Sequence, residues 1–210
     1  MQFGVDEAGK GPVLGSMFAA AVRAPEATLP DGVDDSKRLS ETKREAVAER
    51  LQSDDRVEIA VAEVTVDRID SGNMNGLAVE AHAEVVETVS RPGDRGLCDA
   101  ADVDAERFAA RVQAAIDTDA TIEATHGADA ESPHVGAASI IAKSERERHV
   151  ETLRDRFGEV GSGYPSDGVT RSFLRRYLSE HGRFPPPTRT SWSTCASIRA
   201  EAEQAGLDEF

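Results

Sequence analysis

VDEAGKGPVLGS, residues 5–16, decides how the chain is read. Met1 to Asp6 reads as a strand, and SMFAAAV (16–22) as its hairpin partner across a glycine-rich turn. Two acids, Asp6 and Glu7, therefore close the first strand beside a lysine flanked by Gly9 and Gly11. Outward from this hairpin, DGVDDSKRLS (31–40) is a polar loop, and Ser40 can cap a helix over ETKREAVAERLQ (41–52). VEIAVAEV (57–64) alternates as a strand does, and Thr65 to Ile69 suits a helical turn. Asn73 or Asn75 starts a helix through about Val89, with Leu77, Ala81, Val85 and Val89 on one face. RGLCDA (95–100) reads as a short strand ending in an acid, Asp104 caps AERFAARVQAAI (105–116), and ATIEATHGAD (120–129) reads as a strand running out into an acid. Helices follow over 134–157, 167–181 (closed by Gly182) and about 193–205, the last two parted by FPPPTRT (184–190). The order predicts an α/β fold: a mixed five-stranded sheet flanked by helices, with a C-terminal helical extension.

The chain has 210 residues, enough for one substantial domain, and 39% of them are hydrophobic, enough for a real core. No run approaches a membrane span, the N-terminus lacks the form of a signal peptide, and Cys98 and Cys195 have no CxxC spacing. These features predict a cytoplasmic protein without a disulfide framework. The 39 acids against 24 Lys and Arg give a net charge of −15. Only Lys10, Lys37, Lys43 and Lys143 are lysines. A charge of this sign ordinarily argues against nucleic acid. It also fits a cytosol so salty that screening shrinks to roughly 3 Å at 1 M. There, a polyanion would be held by metal ions and short contacts, so bulk charge does not exclude it.

Three predicted strands carry acids at or beyond one end: Asp6 with Glu7, Asp99, and Asp129. If the strands are neighbours, four carboxylates converge, which is unfavourable without a cation or a proton. Asp and Glu oxygens with no His/Cys set point to Mg²⁺ or Mn²⁺ rather than Zn²⁺. Two such ions can clamp the attacking and leaving oxygens of a phosphodiester. A chain with this many acids also places some at strand ends by accident. The Gly9-Lys10-Gly11-Pro12 turn is no Walker A loop, but its backbone N–H groups can approach a phosphate or sugar closely. The plain alternative is a hairpin turn with Lys10 in water.

At this point the residues match a known family. DEAGKGPVLG (6–15) resembles the N-terminal signature of ribonuclease HII, and DSKRLS (35–40) resembles that family's DSK loop. CDAADV (98–103) is similar to its third acidic strand. HGADAESPHVGAASIIAKSERER (126–148) and GSGYPSD (161–167) resemble its AASI-AK and Gly-Tyr-Pro segments. The resemblance implies a ribonuclease H-like fold. It also implies metal-dependent hydrolysis of RNA in RNA–DNA hybrids, or 5′ to ribonucleotides embedded in duplex DNA, leaving 3′-hydroxyl and 5′-phosphate ends. By motif, Asp6, Glu7, Asp99 and Asp129 become the catalytic, metal-binding carboxylates. Asp102 and Asp104 lie close by, but Asp99 holds the motif position. Gly9, Lys10 and Gly11 are placed to test the 2′-hydroxyl that distinguishes RNA from DNA. Tyr164 is placed to stack on the adjoining deoxyribose, or else packs on its helix. Ser139 and Lys143, four apart on one helix, together with Lys37, are candidates for backbone phosphate contacts. His126 suits either a water-tuning or a packing role.

The chain departs from the family pattern in places. Lys10 stands for the commoner Arg, Ser16 for Pro, and Gly127 and Glu131 for Lys, the last two being consistent with acidification for salt. The expected layout is a catalytic core over 1–145, a helical region over 146–203 completing the groove, and a tail over 204–210. In that tail Gln204, Leu207 and Phe210 resemble a degenerate sliding-clamp peptide, with a frayed acidic tail as the plain alternative. Two other functions stay open: a hybrid-binding protein without catalysis, and another nuclease of the same superfamily, such as a junction resolvase.

Overall fold

The structure is a computed structural model that describes the backbone of residues 1–30, 32–33 and 39–207, and side chains within these as far as 204. Its centre is a five-stranded sheet in the order β3-β2-β1-β4-β5. The strands are β1 (Gln2–Ala8), β2 (Met17–Arg23), β3 (Glu58–Val64), β4 (Arg95–Asp99) and β5 (Thr121–Thr125). β1 pairs antiparallel with β2, which pairs antiparallel with β3. On the other side β1 runs parallel to β4, and β4 to β5. The sheet is therefore mixed, with the N-terminal strand at its middle, and Val5 lies opposite Cys98. Asp6 and Asp99 are the next residues on two adjacent parallel strands, so both emerge at one end of the sheet.

Helices cover both faces. α3 (Met74–Val89) and α4 (Ala105–Ala114) close one, over a core that includes Phe3, Val5, Met17, Cys98 and Phe108. α1 (Glu41–Ser53) and the first half of α5 (Pro133–Phe157) close the other, over Ala8, Ala20, Val22, Leu51 and Ile140. α5 lies directly on β1 because Gly4 has no side chain: a Cβ there would stand 2.2 Å from the Val135 nitrogen. α2 (Val66–Ser71) is a short link before α3. The second half of α5 continues into a third cluster with α6 (Gly168–His181) and α7 (Ser193–Leu207), built on Val13, Leu153, Phe173, Leu174 and Ile198.

The helix starts follow their capping residues. Ser40, Asn73, Asp104 and Asp167 each accept a backbone N–H from the first turn, and Gly182 closes α6 with φ +68°. One expectation is corrected. The last strand does not run to residue 129; it stops at Thr125, and Asp129 sits on a separate 3-10 turn, Ala128–Ala130. Gly127 makes the break with φ +70°, a left-handed conformation that ends the extended run. That gives Gly127 a conformational reason beside the reading from salt. No helix among the described residues is long and apolar enough to cross a membrane.

Candidate active site

The four acids come from three elements that meet at one end of the sheet: β1, β4 and the 3-10 turn after β5. Consecutive strand residues face opposite ways. Asp6 therefore points with Gly4 and Ala8 towards α5, and Glu7 points with Phe3 and Val5 towards α3. Each finds a donor on its own side. The Ser139 hydroxyl of α5 hydrogen-bonds Asp6, and His82 Nε2 of α3 lies 2.8 Å from Glu7 Oε2. Asp6 Oδ1 also accepts the Glu7 backbone N–H at 2.7 Å.

Asp99 is held from the neighbouring turn. Its Oδ1 accepts the N–H groups of Gly127 and Ala128, at 2.7 and 3.1 Å. The same turn carries Asp129, which is only 2% exposed. The strand break at Gly127 thus brings two acids together, one by side chain and one by backbone.

The acids also act on one another's charge. Burial, then the Glu7 charge and that of Asp99, push the Asp6 carboxyl up to about 7, against the Ser139 bond that lowers it. Asp99 is raised as well, first by burial and then by Asp129 and Glu7, while the two turn N–H groups oppose the shift. Among the described residues no three His, Cys, Asp or Glu side chains form a ready-made metal cage. The carboxylates sit within range of one another rather than in a shared coordination sphere. An all-oxygen, mutually repelling set of this kind fits a hard divalent ion that keeps several waters and uses substrate phosphates as further ligands.

Neighbouring acids are occupied elsewhere. Asp102 is bonded to Arg107 at 2.9 Å and held below its ordinary range by that bond, and Asp104 caps α4. His126 Nε2 lies 2.8 Å from the Asp102 carbonyl, a strand-end contact.

Beside the acids lies a cleft of about 380 Å³, lined by Glu7, the 8–11 turn, Arg44, Lys143, Arg146, Glu147 and Tyr164. Gly9 has φ +90°, and a Cβ there would stand 2.9 Å from the Ser16 carbonyl oxygen, so the turn needs glycine. Lys10 does not extend into water: its ammonium donates to the Ala101 carbonyl, tying the turn to the loop after β4. Tyr164 is 41% exposed beside Gly11, with the Arg146 guanidinium 5.1 Å from its ring centre. Ser139 is fully buried, and its hydroxyl serves Asp6 rather than the open cleft. Ser16, standing where proline was expected, donates its N–H to His149 Nε2 at 3.3 Å. Lys37 lies outside the described residues, as do the side chain of Leu207 and all of Phe210; Gln204 is exposed on α7.

The family sequence model for ribonuclease HII matches residues 3–195. The chain belongs to the ribonuclease HII family. A ribonuclease HII of Natronomonas pharaonis, a halophilic archaeon, is 60% identical over 207 residues, covering 99% of this chain and 98% of that one. The crystal structure of ribonuclease H2 from Pyrococcus horikoshii superposes with a TM-score of 0.88 at 39% identity, covering 95% of this chain and 97% of that one. A structure of a PCNA:RNase HII complex from Archaeoglobus fulgidus gives 0.85 at 36%, with the same coverage. The fold is accordingly ribonuclease H-like, and membership makes the chain a metal-dependent endoribonuclease, a ribonuclease H of type II.

Three supporting residues escaped the sequence reading. His82 stands behind Glu7. Arg189 is fully buried, and its guanidinium donates to the carbonyls of Gly15 (2.9 Å), Lys10 (2.9 Å) and Gly9 (2.6 Å), setting the shape of the turn. Asp70, at the end of α2, accepts four hydrogen bonds from Thr190 and Ser191 and so fixes the segment bearing Arg189. A histidine within an otherwise apolar helix face was the one available signal. Arg189, after a proline run and far from the turn in sequence, gave none.

Proposed function

We propose that this enzyme hydrolyses the RNA strand of RNA–DNA hybrids and nicks 5′ to single ribonucleotides in duplex DNA, leaving 3′-hydroxyl and 5′-phosphate ends. Asp6, Glu7, Asp99 and Asp129 would hold two divalent ions, Mg²⁺ or Mn²⁺, which supply charge stabilisation and an activated water at the scissile phosphate. The carrying observation is the meeting of four carboxylates from three elements at one sheet end, beside a turn shaped by Arg189. The turn's Gly9, Lys10 and Gly11 would present backbone groups to a ribose 2′-hydroxyl. Tyr164, exposed at the cleft, would stack on the next sugar. Lys143 and Arg146 would neutralise nearby phosphates; Lys37 is proposed with them from its motif alone. The two cysteines, both buried and free, suit a reducing cytosol.

Asp99→Asn tests the assignment. Under this reading the variant still binds hybrid but does not cut a duplex with one ribonucleotide in high salt with Mg²⁺ or Mn²⁺. Full activity refutes it. Wild-type binding without any metal-dependent cleavage would favour a hybrid-binding protein, and cleavage of branched all-DNA substrates a resolvase.

A clamp partner is supported separately, by the tail pattern of Gln204, Leu207 and Phe210 and by the clamp complex of the Archaeoglobus relative. Deleting 204–210 should abolish clamp binding and spare cleavage of a free oligonucleotide. Unchanged clamp affinity discards the idea.

A further inference from the structure

Glu7 depends on a residue that no motif includes. Strand alternation turns it away from α5 and into the α3 face of the sheet. His82 meets it there, with Nε2 2.8 Å from Glu7 Oε2 and no solvent exposure of its own. The ring is fixed from the side by Phe108, edge-on at 5.0 Å. Its other nitrogen, Nδ1, is buried with no hydrogen-bond partner among the described residues.

An orphaned buried polar atom gives up its hydration with nothing in return, which destabilises the fold. The rest of the buried α3 face is Leu, Ala and Val, so packing by itself would favour an apolar residue at 82. What offsets the cost is the bond to Glu7. A carboxylate only accepts, so Nε2 carries the proton in this contact. The bond holds Oε2 in place against α3.

We propose that His82 is the positioning residue for Glu7: its Nε2–H holds the carboxylate in the orientation that receives a divalent ion, and so sets the affinity of the site for that ion. This rests on the metal-binding reading above. Outer partners of metal ligands characteristically matter by about 10–100-fold in affinity.

Two variants separate this role from mere packing. His82→Phe keeps the ring and its contact with Phe108 but removes the donor. His82→Gln returns an amide N–H near the position of Nε2. The measurements are calorimetric Mn²⁺ binding in high KCl, the melting temperature of the metal-free protein, and the metal titration of cleavage. His82→Phe should bind Mn²⁺ at least about 10-fold more weakly while melting no lower than wild type. His82→Gln should recover most of the affinity. In cleavage, the half-saturating metal concentration should rise while the rate at saturating metal stays near wild type. His82→Leu serves in the same comparison if Phe crowds the site. Wild-type Mn²⁺ affinity in folded His82→Phe overturns the proposal, as does a folded His82→Gln no better than Phe. A wild-type protein that binds no Mn²⁺ fails the metal reading itself, and the two failures are told apart by that control.

Discussion

Asp6 carries the sharpest consequence of gathering acids in one place. Burial and Glu7 raise its carboxyl from 3.8 to about 7 in the metal-free protein. Between those values the folded chain keeps a proton that the unfolded chain has released. Stability from this group is complete below about pH 4 and is lost as pH rises towards 7. One pKa unit corresponds to about 1.4 kcal/mol, and one kcal/mol shifts the melting point of a chain this size by about 2–4 °C. Asp6→Asn carries no such proton. Its metal-free form should melt about 5 °C or more above wild type at pH 8, with little difference at pH 4, in melts run at constant high KCl. Parallel curves for the two proteins across that range would show that Asp6 ionises freely. Asp6, Glu7 and Asp99 were legible as strand-end carboxylates, whereas Asp129 sits on the turn after its strand. Their supports were not legible, because alternation sends Asp6 and Glu7 to opposite faces, and the helices that receive them start at Met74 and Pro133, far along the chain.

The turn over 9–15 is held at the level of whole elements. Val13 and Leu14 donate to the Gly163 carbonyl, Gly15 donates to the Pro187 carbonyl, and Arg189 returns its own N–H to the Val13 carbonyl. The Arg189 side chain then satisfies three further carbonyls in the interior. Burial lowers its guanidinium to about 10, so it stays charged at neutral pH. Arg189→Met leaves those carbonyls without their donor and should destabilise the fold by about 3–5 kcal/mol in denaturant titrations. Arg189→Lys should recover little, since one ammonium on a flexible stem cannot span a fork's three acceptors. Loss below about 1 kcal/mol in the Met variant would mean the turn keeps its shape unaided. Local signals had revealed the elements themselves: caps began the helices where Ser40, Asn73, Asp104 and Asp167 stand. The last strand was read too long because no proline breaks the run from Thr125 to Asp129, and the turn there comes from the left-handed Gly127. Arg189 had no local signature, since its partners lie about 180 positions earlier.

Over the whole molecule the charge is uneven in a useful way. Lys10 and Lys143, two of the four lysines, line the cleft together with Arg44 and Arg146, although the chain as a whole carries −15. Four cations are thus gathered at one cleft, beside the carboxylates of Glu7 and Glu147. Several arginines on the outside are already committed to acids, as Arg148 is to Glu45 and Glu145, and Arg175 to Glu201. Such exposed pairs contribute little each. They cannot neutralise the excess of acid, whose mutual repulsion opposes the compact state unless the solvent screens it. Between 0.1 and 1 M salt the screening length falls from about 10 Å to about 3 Å, shorter than most spacings between surface charges. Melting in KCl from 0.1 to 3 M should therefore show a steady rise, about 10 °C or more in total. Asp6→Asn should rise in parallel with wild type, because one buried carboxyl contributes little to the surface field. A flat melting curve across that range would mean that the surface acids are balanced in place, and that the acidity of this chain is no adaptation to salt.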